Sequence, residues 1–334
     1  MADYKGIKGF TIQTIAGDPP APIIGQVWYN TTSNVLKCYL SGSGAWASGG
    51  DVNIARGEMG GARAGTVTAG LVFAGDGPPS TTPPGYMGNT DEYDGTSWTE
   101  VNPLNDVRSA PGSLGTQIAA MCISGNSYGT PAGHTVNHNE EYDGTSWTTV
   151  ANTLVRRTNP GGGGTTTAGV IGGGDPGANQ STEVWDGTSW SEDNNQNTAR
   201  SQGGFAGTVS TAALICGGNP GYIDKTEIWD GTSWSETNQL QTASAQYVAS
   251  FGSSTSALLC GGNTASGYTQ KTEKWDGTSW SEVADLTSTA ARLGAGGGST
   301  SAGLACCGII PPGYSKQTQE WADPLLAVKT FTSS

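Results

Sequence analysis

Apolar residues in this chain come in short runs, each closed by Gly and a polar turn, and the runs recur at a near-constant interval. One period is representative. A Gly-rich lead covers residues 202–209, followed by the apolar run Thr211-Ala-Ala-Leu-Ile-Cys-Gly-Gly-Asn219. A segment ending in an aromatic residue follows at 225–229, and a last short segment at 233–236. The pattern predicts four strands, A to D in that order. Strand B, at 211–216, is apolar throughout, as expected of a strand covered on both faces. Between C and D stands Asp-Gly, where Gly accepts positive φ and Asp caps the turn with its side chain, so C and D form a tight hairpin. Asp-Gly-Thr-Ser-Trp occurs five times, ending at Trp98, Trp147, Trp190, Trp234 and Trp280, with steps of 43 to 49 residues. Each copy follows an aromatic residue: Tyr93, Tyr142, Trp185, Trp229 and Trp275. A four-stranded unit of this size cannot bury both faces alone. Radial repetition solves that, each Trp packing against the neighbouring blade, and predicts an all-β propeller.

The blade count follows from a second spacing. Arg stands ten residues after the strand D Trp at Arg108, Arg157 and Arg200, and the same step joins Trp46 to Arg56. Residues 45–48 therefore read as a D strand ahead of the first full repeat. At the other end, residues 317–321 supply a sixth C strand with Trp321, and no Gly-Thr-Ser-Trp follows. A six-bladed ring results, its last blade closed by the N-terminal strand around Trp46, which also removes sheet edges. Residues 27–39 and 325–331 remain as strand-like extras, so a seventh, composite blade is the alternative. The domain reading is an extended attachment segment at 1–26, with Asp18-Pro-Pro-Ala-Pro22 as a stiff spacer, and a propeller over 27–334.

The order apolar strand, Gly-Gly, aromatic, then Trp resembles the Kelch family over about residues 56–321. The Gly pair is clear at Gly173-Gly174, Gly217-Gly218 and Gly261-Gly262. It is weakened at Ala74-Gly75, Ser124-Gly125 and Cys307-Gly308. Asp-Gly-Thr-Ser-Trp is also similar to the Asp-box of sialidases, which needs one more residue between Asp and Gly. The stretch Gly25-Gln-Val-Trp-Tyr-Asn-Thr-Thr-Ser-Asn-Val-Leu-Lys-Cys-Tyr39, closed by Trp46, predicts a hairpin around residues 30–34. It resembles a hairpin of bacteriophage tail-fibre and other virion structural proteins; an ordinary hairpin of convergent composition is the alternative.

Composition narrows the function classes. With 53 Gly and only 13% charged residues the chain could be low-complexity, but 11 Trp and 11 Tyr point to a folded β-protein. A net charge of −13 opposes binding to phosphate backbones, so nucleic acid is not an expected partner. No apolar run reaches the roughly 18 residues that span a bilayer, so membrane insertion is not expected. The first ten residues lack an apolar stretch followed by a small-residue cleavage site, so a secretory signal is not expected. Cys216, Cys260 and Cys306 share one strand slot, with Cys122 within one residue of it. They are expected to be buried free thiols rather than disulfides or metal ligands, since no Cys-x-x-Cys spacing exists. His134 and His138 are read as exposed loop residues with no third ligand. No nucleophile elbow, P-loop or dinucleotide fingerprint appears. No cofactor, metal or catalytic residue is expected.

Alternating strand direction places the uniform C–D turns on one face, and the variable B–C loops with the D–A joints on the other. The B–C loops carry Tyr86, Tyr128, Tyr222, Tyr268 and Tyr314; the D–A joints carry Arg56, Arg108, Arg157, Arg200 and Arg292. Tyr offers an apolar ring with a hydrogen-bonding tip and Arg a fork of donors, a combination suited to sugars or acidic groups. Against this, the Tyr rings could pack on their own loops and the Arg residues could brace adjacent blades. Together with the two resemblances, these features imply a bacteriophage virion structural protein of the tail or fibre. It would attach to other virion proteins through its N-terminal segment and offer the variable face to a host-surface glycan or protein. The alternatives are an intracellular Kelch-type interaction scaffold and a glycan-acting propeller enzyme.

Overall fold

The computed structural model describes residues 12–330 apart from 21–22, 24, 41–43, 79–84, 129–134, 178, 243–245 and 324–326. The chain divides into two compact units, Ala45–Ala322 and a smaller one formed by Met1–Gly44 with Asp323–Ser334.

In the larger unit each predicted repeat is one antiparallel sheet with strands in the order A-B-C-D. The fourth is typical: Gly204–Val209, Ala212–Cys216, Thr226–Trp229 and Trp234–Thr237. Six such sheets are present among the described residues. The sixth joins Gly294–Gly298, Ala302–Cys306 and Thr318–Ala322 to Ala45–Ser48, with Trp321 directly opposite Trp46. The N-terminal strand thus closes the last blade, as the spacing predicts.

Burial follows strand position. Strand B is buried on both faces; Leu71, Val72 and Phe73 have no exposed surface. The A strands are glycine-rich because those of adjacent blades nearly touch: a Cβ on Gly162 would lie 2.7 Å from the Ser113 carbonyl oxygen, and one on Gly163 2.6 Å from that of Gly207. In strand D the leading Trp is buried, the next two residues are exposed and the last is half-buried, as in Trp234–Thr237.

Five of the six strand D Trp residues also tie their blade to the preceding one. The indole N–H of Trp98 donates to Thr318 Oγ1 at 2.9 Å, Trp147 to Thr90 at 2.9 Å, Trp234 to Thr182 at 2.8 Å and Trp280 to Thr226 at 2.9 Å. Trp46 does the same to Thr272 at 3.0 Å. For Trp190 of the third blade the facing slot on the second blade holds Asn139, whose amide donates to the Ala151 carbonyl at 2.8 Å, and the Trp190 N–H has no partner. In every C–D turn the Asp carboxylate accepts the two following backbone amides, as Asp230 does from Thr232 and Ser233 at 2.8 Å each. The six cysteines are buried free thiols.

The smaller unit corrects the predicted domain boundary. Val27–Asn30 and Val35–Leu40 form the expected hairpin, but it pairs with Ala327–Thr330 on one side and, in parallel, with Gln13–Ile15 on the other. These extras make their own sheet rather than a seventh blade, and the boundaries fall at 44/45 and 322/323, where 26/27 and a propeller running to 334 were expected. Nor is the segment before residue 27 simply extended. Asp18 accepts hydrogen bonds from Lys37 Nζ at 2.8 Å, Asn30 Nδ2 at 2.9 Å and Trp28 Nε1 at 3.2 Å, which fix it to the hairpin. The first eleven residues, and Ala21 and Pro22 of the spacer, lie outside the described residues.

Candidate functional site

Six residues, one per blade, ring the axis where each D–A joint enters strand A: Glu58, Ala110, Asn159, Gln202, Tyr247 and Arg292. All six have positive φ, between 51° and 64°, although none is glycine. Such a conformation is costly for side chains of this kind and persists only where the surroundings impose it. Here the surroundings are each other. The amide of Ala110 donates to the Glu58 carbonyl at 2.8 Å, Asn159 to Ala110 at 2.8 Å, Gln202 to Asn159 at 3.2 Å, Tyr247 to Gln202 at 2.8 Å and Arg292 to Tyr247 at 2.8 Å. Glu58 closes the circle on Arg292 at 3.2 Å. The backbone is thereby locked and the six side chains surround a cavity of about 50 Å³, room for a few waters or one small polar group.

The cavity is polar and electrostatically uneven. Arg292 Nη1 pairs with Glu58 Oε1 at 2.7 Å and lies 3.8 Å from Asp76 Oδ2, while its guanidinium carbon sits 4.9 Å from the Tyr247 ring centroid. Burial pushes the Glu58 carboxyl above its ordinary range, opposed by Arg292, and pushes the Tyr247 phenol up to about 12. Arg63 reaches across the axis from the first blade. It donates through Nη1 to the Phe205 carbonyl at 3.2 Å, and to the Ser250 carbonyl at 3.2 Å and hydroxyl at 2.9 Å. No carboxylate among the described residues faces it, its Nε has no partner, and burial lowers it to about 10. Arg292 is served by Glu58 and approached by Asp76, so Arg63 is the cation at the cavity that has no carboxylate partner among the described residues.

The arginines assigned to binding separate into two kinds. Arg108, Arg157 and Arg200 have no exposed surface, and Arg56 likewise. Arg108 pairs with Glu140 at 2.5 Å and Arg200 with Glu227 at 2.5 Å, while Arg157 pairs with Glu183 and Arg56 with Asp91. A second nitrogen of each donates to two backbone carbonyls, in Arg200 those of Gly217 at 3.1 Å and Lys225 at 2.9 Å. These four brace strands B and C, and their burial removes Arg108, Arg157 and Arg200 from the binding set. Arg292 is different because it stands twelve residues after its Trp, not ten. That places it in the axial ring, with its side chain 31% exposed.

The tyrosines lie on the same face but not in one cluster. Tyr86 and Tyr128 approach with ring centroids 6.0 Å apart, and Tyr128 is 54% exposed. The Tyr314 hydroxyl donates to Asp76 Oδ2 at 2.5 Å, next to Arg292. Tyr222 and Tyr268 belong to the fourth and fifth blades, away from this group. His138 lies in strand Thr135–Tyr142 rather than in a loop, with Nδ1 3.4 Å from Asp106 Oδ2, while His134 lies outside the described residues. Glu58, Arg63, Asp76 and Tyr247 were not expected in the site. A signal for the ring existed: each member lies two residues beyond the Arg slot in the first four repeats, where side chains vary inside a constant frame.

No protein-family model matches this chain, and no curated protein matches it. Among solved structures it is similar to that of YjhT, with a TM-score of 0.65 and 12% sequence identity over 84% of this chain and 99% of that one. Identity that low speaks to the fold alone. The fold is an all-β propeller of four-stranded, Kelch-like blades, shared with YjhT.

Proposed function

We propose that this chain is a bacteriophage virion structural protein of the tail or fibre, whose propeller binds a host-surface ligand through the axial cavity rather than transforming it. The small sheet built from Gln13–Ile15, Val27–Asn30, Val35–Leu40 and Ala327–Thr330 is a unit of its own, which suits a part that joins the particle while the propeller stays available. The binding role rests on Arg63. A cation without a carboxylate, beside a small polar cavity, favours an anionic group such as the carboxylate of an acidic sugar or of an acidic side chain.

Two measurements test the reading. Mass spectrometry of purified particles would contain this chain at fixed stoichiometry; its absence from particles removes the virion role. Binding of the purified protein to acidic and neutral glycans, and to host cells, would be compared with Arg63→Met. The variant is expected to lose at least 10-fold for acidic ligands. Unchanged binding in a folded variant would exclude the axial cavity.

A further inference from the structure

We infer that the fifth blade carries a binding subsite for a guanidinium group, supplied by an arginine side chain or a free guanidinium compound, at the buried carboxylate of Glu273. The evidence is a comparison of equivalent slots within the ring. In the second, third and fourth blades a buried Glu on strand C accepts two backbone amides of the D–A joint and one arginine. Glu227, for example, accepts from Asn197 N at 2.7 Å, Thr198 N at 3.0 Å and Arg200 Nη2 at 2.5 Å. Glu273 keeps the first two contacts, from Gln241 N and Thr242 N at 2.8 Å each, also accepts a hydrogen bond from the Thr242 side chain, and is only 3% exposed. It has no arginine. Residues 243–245 read Ala-Ser-Ala, and among the described residues no cation pairs with Glu273.

The remaining acceptors are in place. Where Arg200 Nη1 meets the carbonyls of Gly217 and Lys225, the fifth blade presents those of Gly261 and Lys271, joined by the same backbone bond: Gly217 N to Lys225 O at 3.1 Å, Gly261 N to Lys271 O at 3.0 Å. The sixth blade shows the other way to lose the arginine. There Ala290 holds the Arg slot and neutral Gln319 the Glu slot, so no charge is left over. The fifth blade kept the carboxylate, and burial accordingly raises its pKa. Lys271 does not supply the cation, since its ammonium pairs outward with Glu282 at 3.0 Å and Asp285 at 3.7 Å. Glu273, Gly261 and Lys271 line a narrow cavity of about 10 Å³. An open groove of about 540 Å³ shares its Thr242, Thr264 and Lys271 and is walled by Tyr222. An incoming guanidinium would fill the slot that Arg200 fills one blade earlier, its stem leaving past the Tyr222 ring.

The test is calorimetric titration of the full chain with methylguanidinium up to 10 mM, far below denaturing concentrations, with methylammonium as the matched cation. Saturable binding of methylguanidinium at one site is expected, at least 10-fold tighter than methylammonium and weakened at least 10-fold by Glu273→Gln. Arg200→Ser, which leaves Glu227 in the same condition, should raise the stoichiometry from one to two. A short arginine-containing peptide forms the second arm. Binding 10-fold tighter than methylguanidinium supports a polypeptide source, and equal binding supports a free small cation. The subsite is overturned if neither probe binds, if methylammonium binds equally well, or if Glu273→Gln binds methylguanidinium like the unaltered chain.

Discussion

Trp46 and Trp321 stand directly opposite each other on paired strands, ring centroids 5.5 Å apart, although one belongs to the first described strand of the propeller and the other to the last. Their pairing closes the ring, and the Trp46 indole N–H extends the seal by reaching Thr272 of the fifth blade. Trp46→Phe should therefore cost about 1 kcal/mol more than Trp190→Phe, because only the former loses a buried hydrogen bond. Urea denaturation of the two variants checks this. Equal losses would mean that the indole–threonine bonds contribute nothing net.

The buried arginine pairs predict a non-additive result. Arg157→Met leaves Glu183 charged and buried, and should destabilise by about 3–5 kcal/mol. Replacing both residues by Met should recover most of that loss, since burying the pair is itself costly: burial lowers the Arg157 pKa against the opposing effect of Glu183. Denaturant midpoints of the single and double variants decide. A double variant as unstable as the single would show the pair to be a net stabiliser.

Among the tyrosines, Tyr314 and Tyr268 should behave differently. Tyr314→Phe removes a hydrogen bond to a carboxylate, and a loss of about 1.5–3 kcal/mol is expected. Tyr268→Ala, at a 38% exposed position, should change stability by only about 0.5 kcal/mol. Thermal unfolding of both separates a packing tyrosine from one available to a ligand.

Alkaline pH should weaken the propeller through its buried phenols. Tyr247 and Tyr93 are both raised to about 12, chiefly by burial. A raised pKa in the folded state means that the protonated phenol is favoured there. The associated stability is complete below the unfolded value, about 10, and is lost as pH rises through about 12. Tyr247→Phe should flatten the decline in stability across that window. An unchanged slope would place the loss elsewhere.

Much of this architecture was legible because the repeat fixes residue types at each strand position. Asp-Gly-Thr-Ser-Trp located the C–D hairpins, and the ten-residue step from Trp46 to Arg56 marked the closing strand. The hairpin at 27–40 was legible too, but not its partner, because Ala327–Thr330 lies far away in sequence and carries no motif. The binding arginines were misjudged for a physical reason. Recurrence marks a slot, and the slot of Arg108, Arg157 and Arg200 is interior. The axial ring stayed hidden because its positive-φ positions hold Glu, Ala, Asn, Gln, Tyr and Arg, where a glycine would have announced the turn. Arg63 has no repeated counterpart at all.

Closure by the N-terminal strand also dictates an order of events during synthesis. Ala45–Ser48 leaves the ribosome before every other strand of the propeller, yet its partner Thr318–Ala322 leaves after all of them. At roughly 5–20 residues per second the interval is on the order of 15–55 s. Throughout it the nascent chain carries a Trp-bearing strand whose backbone edge has no mate, while blades one to five are already complete enough to pair internally. The last blade is a clasp that can be fastened only once, at the end.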